Sequence, residues 1–336
     1  MAYNRVRSCK FYIDAMLLAR QFGCIETENS NGLFYLNPTK TLDLEWTEAG
    51  NKFLSIQFIN RYFFNSISHS FILGHNFNSK DISYAIKGES LPDESGVFEQ
   101  EYLYIGNSSL DNNGWHKFEW LDGICTDKNF VKIVVRLSSE TVGTANIGDI
   151  SVGWSWTAPH SPDMELTQSF GNESLKTQTT KGGVTLTNTG WNHQPYWGSF
   201  PAWARGTAIP GTAFHSSVFG GNIFSNGRRS WNLKFSYVSD EDLFPSALHS
   251  TYGMFIKTLG DDPSTPDVET NHLHFSIKDN FVSKVLPTIN LGLPFIFQPD
   301  STVEEYAIVR ANSDSVTFNQ VANNVYDIGL DLVEVW

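Results

Sequence analysis

Charge is scarce in this chain. Asp, Glu, Lys and Arg make up 18% of its 336 residues, and 23 basic residues face 36 acidic ones, for a net charge of −13. The deficit is shared, with 13 basic against 18 acidic residues over 1–157 and 10 against 18 over 158–336. Neither half carries a basic stripe, so the counterion release that drives nucleic-acid binding is missing and such partners are disfavoured. Cysteine is equally sparse. Cys9, Cys24 and Cys125 cannot all pair with one another, and their spacing matches no zinc template. They read as buried free thiols of a protein assembled in a reducing cytoplasm. Long apolar runs are absent too. The basic opening MAYNRVRSCKFYIDAMLLARQFG has only a short apolar part, broken by Asp14 and Arg20, which makes neither a secretion signal nor a membrane span. GxSxG, GxxxxGK[ST], HExxH, the EF-hand loop and a post-strand GxGxxG are all missing, which lowers the expectation of an enzyme. The chain is read as a non-enzyme without cofactor or metal.

What the chain has is aromatic. Phe, Trp and Tyr reach 14%, with 25 Phe, and strands favour such residues, so the composition predicts a mainly β protein. A neutral aromatic surface left open would aggregate, which points to surface covered by partners, including copies of the same chain. The length fits two domains better than one. Residues 1–34 read as an N-terminal assembly segment with a strand over Phe11–Ile13 and a short helix over Ala15–Phe22. Residues 35–157 follow as short alternating strands, with Leu42, Leu44 and Trp46, then Phe53, Leu54, Ile56 and Phe58, then SHSFILGHNF, ISYAIKG, WHKFEW and FVKIVVRLS. Pro159 and Pro162 mark a linker over 158–169, and 170–336 form a second β-rich domain. DNFVSKVL, Asp279–Leu286, has apolar residues at helical spacing and predicts one short packed helix that Pro287 ends. The expectation is thus two β-sandwich or jelly-roll-like domains. The closing stretch keeps strand alternation to the last residue, with Ile328, Leu330 and Leu332, then Val333, Val335 and Trp336, so Trp336 is expected in a packed core or an interface.

Candidate chemistry is thin. Trp191, Trp197 and Trp203, with His193 and Tyr196, form the densest aromatic cluster; flat rings stack on sugars, and they equally fill cores and subunit contacts. His272 and His274 alternate on a strand and share a face, but no third ligand can be named, so they read as surface or interface histidines. Asp240, Glu241 and Asp242, like Asp261 and Asp262, read as solvated turns. Neighbours on a strand, Glu304 and Glu305 face opposite ways and make no glycosidase pair with each other. Arg228 and Arg229 alternate at a strand start, where one can pair with a carboxylate of a neighbouring subunit or sit on a solvated rim.

Two resemblances add to this. GRRSWNLKFSYVSDEDLF, LPFIFQPD and the ending QVANNVYDIGLDLVEVW, all within 227–336, resemble tail and baseplate proteins of tailed bacteriophages. That likeness implies a β-rich assembly domain in a virion protein made in the host cytoplasm, with Arg228, Arg229, Trp231 and Trp336 as assembly residues. In the first half, ILGHNF, a strand ending in IKG, WHKFEW, VKIVVRL and IGDISVGW follow the order of the galactose-binding-like, discoidin-type jelly roll. That resemblance places His75, Asn76 and Arg136 near a ligand-bearing rim. Together they imply a structural component of the tail or baseplate that works through symmetric oligomers and other virion proteins, without membrane insertion. The alternatives are a carbohydrate-binding module for a host surface glycan and, more weakly, a polysaccharide-degrading spike.

Overall fold

The computed structural model describes residues 7–29, 32–36, 42–58, 67–75, 82–90, 100–106, 115–119, 130–140, 142–163, 167–171, 175–189, 228–244, 280–313 and 315–335. The chain is mainly β. Strand β1 (Lys10–Asp14) runs straight into helix α1 (Ala15–Gln21), and β2 (Ile25–Asn29) follows. The Asp14 side chain accepts hydrogen bonds from the backbone N–H of Met16 and Leu17, at 2.7 and 3.1 Å, so one carboxylate oxygen caps the helix start. At the other end Gly23 takes φ 66°, a left-handed turn that suits glycine.

Next come β3 (Leu42–Trp46), β4 (Gly50–Phe58), β5 (His69–Leu73), β6 (Ile82–Ser90), β7 (Gln100–Gly106), β8 (Trp115–Glu119), β9 (Phe130–Ser139), β10 (Gly143–Ile147) and β11 (Asp149–Thr157). They build a sandwich whose one layer is the five-stranded sheet β2-β4-β9-β6-β7. Ile133, Val135 and Leu137 of β9 point inward, as the alternation predicted, and meet Ile72 of β5 and Val152 and Trp154 of β11 in one core. The small pair β3 and β10 adds Leu44, Trp46, Ala145 and Ile147 to that core.

The second layer does not stop at the first half of the chain. The remaining strands are β12 (Thr167–Gly171), β13 (Leu175–Thr179), β14 (Thr185–Thr189), β15 (Arg228–Ser239), β16 (Phe295–Gln298), β17 (Ala307–Ala311), β18 (Phe318–Ala322) and β19 (Val325–Glu334). Most join a ten-stranded sheet of order β12-β15-β19-β17-β16-β1-β11-β5-β8, with β18 also paired to β19. Strand β1 is the seam, because Phe11 pairs with Trp156 of β11 on one side and Phe297 of β16 on the other. All three rings lie in the common core, with Phe11 5.5 Å from Trp156 and 5.3 Å from Phe297.

These pairings cross the expected boundaries. Within the N-terminal segment β1 is flanked by strands on both sides, and Cys9, Phe11 and Ile13 are buried. The described residues of 158–169 are tied to their surroundings. Ala158 N–H donates to the Cys9 carbonyl at 2.9 Å, Asp163 N–H donates to the Lys234 carbonyl at 2.7 Å, and β12 starts inside the stretch. The prolines forbid a strand there without freeing the chain. Residues 165–336 expressed alone should therefore fail to melt cooperatively, because β16 would lose its partner β1 and expose Phe295 and Phe297. A sharp calorimetric transition for that fragment would refute the shared sheet.

The helix reading also changes. Besides α1, the described residues hold α2 (Asp240–Leu243), α3 (Phe281–Lys284) and α4 (Leu286–Asn290). Pro287 does not end the helical stretch but sits in the first turn of α4, where its missing N–H costs nothing. The Trp154 indole N–H donates to the Lys284 carbonyl at 2.9 Å and ties α3 to β11.

Candidate functional site

Strand β19 is the hub of the second half. It pairs with β15 along its length on one side, and with β18 and then β17 on the other. Ile328, Leu330 and Leu332 point into the core, and Glu334 takes the next inward place. Strand β15 mirrors it, with Phe235, Leu233 and Trp231 inward and then Arg229. The two charges thus meet inside, where Arg229 is 0% and Glu334 1% exposed. Arg229 Nη2 donates to Glu334 Oε1 at 2.9 Å, while its Nε and backbone N–H donate to Oε2 at 3.2 and 2.9 Å. Nη1 donates to Glu305 Oε1 at 2.8 Å and Nη2 to the Tyr306 carbonyl at 3.3 Å. Burial works against a charged guanidinium, yet Glu334 and Glu305 hold its pKa above the ordinary arginine value.

A second constellation lies on the opposite face of the large sheet. Tyr12, Phe71, Ile296, Tyr306 and Ile308 form a smaller apolar cluster there, and His69 stands among them with 0% exposure. Its ring is edge-on to Tyr12 at 5.0 Å and Phe71 at 5.6 Å, and neither nitrogen has a hydrogen-bond partner. The Tyr12 hydroxyl donates to Gln298 Oε1 at 2.8 Å and accepts from Lys117 Nζ at 3.2 Å. Lys117 and Lys10 both pair with Glu119. Tyrosine, histidine, lysine and glutamate in contact are the parts of acid-base chemistry, but the environment pushes the phenol, the imidazole and the carboxylate away from neutrality. Burial, aided by Glu119, drives the Tyr12 phenol up, and burial takes His69 down to about 3. With Tyr12 and His69 both closed to solvent, this cluster is a packed seam around β1 rather than a substrate cleft.

The residues singled out from sequence fall into three groups. Arg229 and Trp231 are buried within the chain, so they hold the fold and cannot reach a neighbouring subunit; Arg228 is half-buried beside them. His75 follows β5 of the large sheet, and Arg136 lies on β9 of the five-stranded sheet. His75 is buried just beyond β5, 6.4 Å ring to ring from His116, whereas Arg136 alternates with core residues of β9 and so faces outward from the other sheet, opposite Phe53 and Ala85. Asn76, Trp191, Trp197, Trp203, His272, His274 and Trp336 lie outside the described residues. Cys9 is buried and its thiol pKa is driven up by desolvation, while Cys24 is half-buried; both are free, and Cys125 lies outside the described residues. Among the described residues no three His, Cys, Asp or Glu side chains gather as metal ligands, and no helix is long and apolar enough to cross a membrane. An open groove of about 620 Å³ beside α4 is lined by polar residues including Asn290, Arg310, Asn312 and Ser313.

No protein-family model matches the chain, and no curated protein matches it. Two solved structures overlap it locally. A truncated AlyQ with CBM32 and alginate lyase domains aligns at 11% identity and a TM-score of 0.25, over 54% of this chain and 42% of that one. The CBM22-1–GH10 modules of the N-terminal endo-1,4-β-D-xylanase 10B of Clostridium thermocellum, complexed with xylohexaose, align at 10% identity and a TM-score of 0.21, over 38% and 28%. The chain spans less than half the length of either structure.

Proposed function

We propose that the protein is a structural, non-enzymatic component of a tailed-bacteriophage particle, placed in the tail or baseplate and acting through repeated copies. The resemblance of GRRSWNLKFSY, PFIFQPD and YDIGLDLVEVW to such proteins is the source of the reading. The observation that carries it is where those segments lie. They are β15, β16 and β19, adjacent or nearly adjacent strands of the large sheet, and the second arginine of RRSW is locked onto the glutamate of LVEVW. Motifs that served substrate chemistry would converge on an open cleft; these converge on the frame. A sheet-built frame in a chain with only 18% charged residues suits a part whose work is geometry, since symmetry multiplies modest contacts into a stable ring.

The test is direct. Particles purified from the phage that encodes the chain should contain the protein in stoichiometric amounts by mass spectrometry, and a label on it should appear at the tail in low-resolution images. Its absence from washed particles, or release of reducing ends when the pure protein meets host polysaccharide, would overturn the proposal.

A further inference from the structure

Strands β13 and β14 form a ribbon that pairs only with itself among the described residues. The register runs without a bulge from Leu175 opposite Thr189 to Thr179 opposite Thr185. Its turn is closed by Val184 N–H donating to the Thr180 hydroxyl at 3.2 Å and by Gly183 at φ 81°. Every side chain from Thr177 to Thr187 is exposed, on both faces. Val184 and Leu186, two residues apart and so on one face, are 59% and 57% exposed. Among the described residues both its edges are open, and such a two-stranded ribbon is marginal by itself in water and a template for further strands. It is also electrically unlike the rest of the molecule, because residues 175–189 hold Lys176 and Lys181 and no acidic residue in a chain of net charge −13.

The same molecule carries a surface with the opposite properties. Strand β18 is an edge, paired among the described residues only to β19, and Asn319, Gln320, Val321 and Ala322 are all exposed. Val321 is 47% exposed. Residues 299–336 hold seven acidic residues and a single basic one, Arg310; Glu334 and Glu305 are taken up by Arg229 and Asp300 by Arg7, while Asp327 stands on β19 directly opposite Asn319 of β18. This surface offers an open backbone edge, an exposed valine and negative charge.

We infer that the β13–β14 hairpin is a docking arm that adds to the β18 edge of a second copy of this chain. Main-chain hydrogen bonds along the edge supply the affinity, Val184 and Leu186 cover Val321, and the lysines are steered by the acidic C-terminal sheet. Arm and edge are different surfaces, so the contact is head-to-tail and closes into a ring or continues as a filament. The occupant is a second copy because both complementary surfaces belong to one sequence. The inference deepens the assembly reading above and rests on it.

Sedimentation velocity of the full chain decides it, compared with a chain in which residues 176–188 are replaced by a Gly-Asn-Gly turn. The ribbon is exposed on both faces, so the trimmed chain should melt at the wild-type temperature and sediment as a monomer, while the full chain associates. Lys176→Glu with Lys181→Glu should weaken association roughly tenfold, as should added salt on the wild type. Mixing Leu186→Cys with Val321→Cys under oxidation should give a crosslinked pair that neither variant alone, nor the wild type with its native cysteines, produces. A full chain that stays monomeric, or a trimmed chain that associates like the full one, overturns the arm. If the protein is nonetheless present in purified particles, the assembly reading survives that failure; absence from particles removes both.

Discussion

Arg229→Ala is expected to destabilise the protein by ~3–5 kcal/mol, the scale for removing one partner of a buried ion pair. The substitution leaves the Glu334 carboxylate, 1% exposed, without the two guanidinium donors that Arg229 now supplies. The backbone N–H at 229 would remain, but a charge in the interior needs more than one dipole. The guanidinium also lies 5.1 Å over the Trp231 ring, and that packing goes with it. Glu305→Ala should cost far less, under ~1 kcal/mol, because that side chain is 25% exposed and water replaces the lost partner. Arg229→Met with Glu334→Leu should recover most of the loss by removing both charges together. Urea unfolding of the four proteins measures all of this, and an Arg229→Ala midpoint equal to wild type would refute the network. The comparison also separates a structural arginine from an interface one, since an interface residue would melt normally and fail only in assembly.

Much of the local structure is legible in the sequence. Val131, Ile133, Val135 and Leu137 announce a strand by alternation, and Ala15–Phe22 announces a helix that the structure ends one residue earlier, at Gln21. What alternation cannot state is the partner. Tyr12 and Gln298, hydrogen-bonded in the large sheet, are 286 residues apart, and nothing local to either predicts the other. The prolines of 158–169 are limited in the same way, because Pro159 and Pro162 report the local backbone and not that strands on either side share one sheet. The buried charges carried a signal that was missed. Glu334 keeps the parity of Ile328, Leu330 and Leu332, and Arg229 keeps that of Trp231, Leu233 and Phe235. Opposite charges in the inward places of two strands are costly alone and compatible only with each other, so parity marks them as a pair. His69 likewise keeps the parity of Phe71 and Leu73, which places an imidazole in an apolar row.

That imidazole should shape the acid limb of stability, against an opposing carboxyl one strand away from it. Asp14 of β1 and His69 of β5 both face Gly153 of β11 in register, and a Cβ at Gly153 would lie 1.8 Å from the Ile13 carbonyl oxygen, so only glycine fits between them. Burial lowers the folded pKa of His69 from 6.5 to about 3, with Glu119 pulling it up and Lys10, Lys117 and Lys284 pushing it down. The unfolded chain therefore takes that proton first, and stability is lost as pH falls from 6.5 towards 3, at ~1.4 kcal/mol per unit and roughly 5 kcal/mol in all. Asp14 runs the other way. Burial raises its folded pKa from 3.8 to about 6, outweighing the helix-cap hydrogen bonds, so the folded state takes that proton first and gains roughly 3 kcal/mol between those values. The two slopes nearly cancel between about pH 6 and 4, and below that the histidine loss stands alone, joined by Glu119, whose pKa Lys10 and Lys117 hold low despite its partial burial. Wild type should thus keep a flat stability profile to about pH 4 and then fall steeply. His69→Phe, which keeps a ring against Tyr12 and Phe71, should gain stability on acidification from pH 6 to 4, whereas Asp14→Asn, which keeps a capping oxygen, should lose it steadily from about pH 6.5. Parallel profiles for the three proteins would mean that neither group titrates inside the fold, and the seam around β1 would have to be wetter than its burial implies.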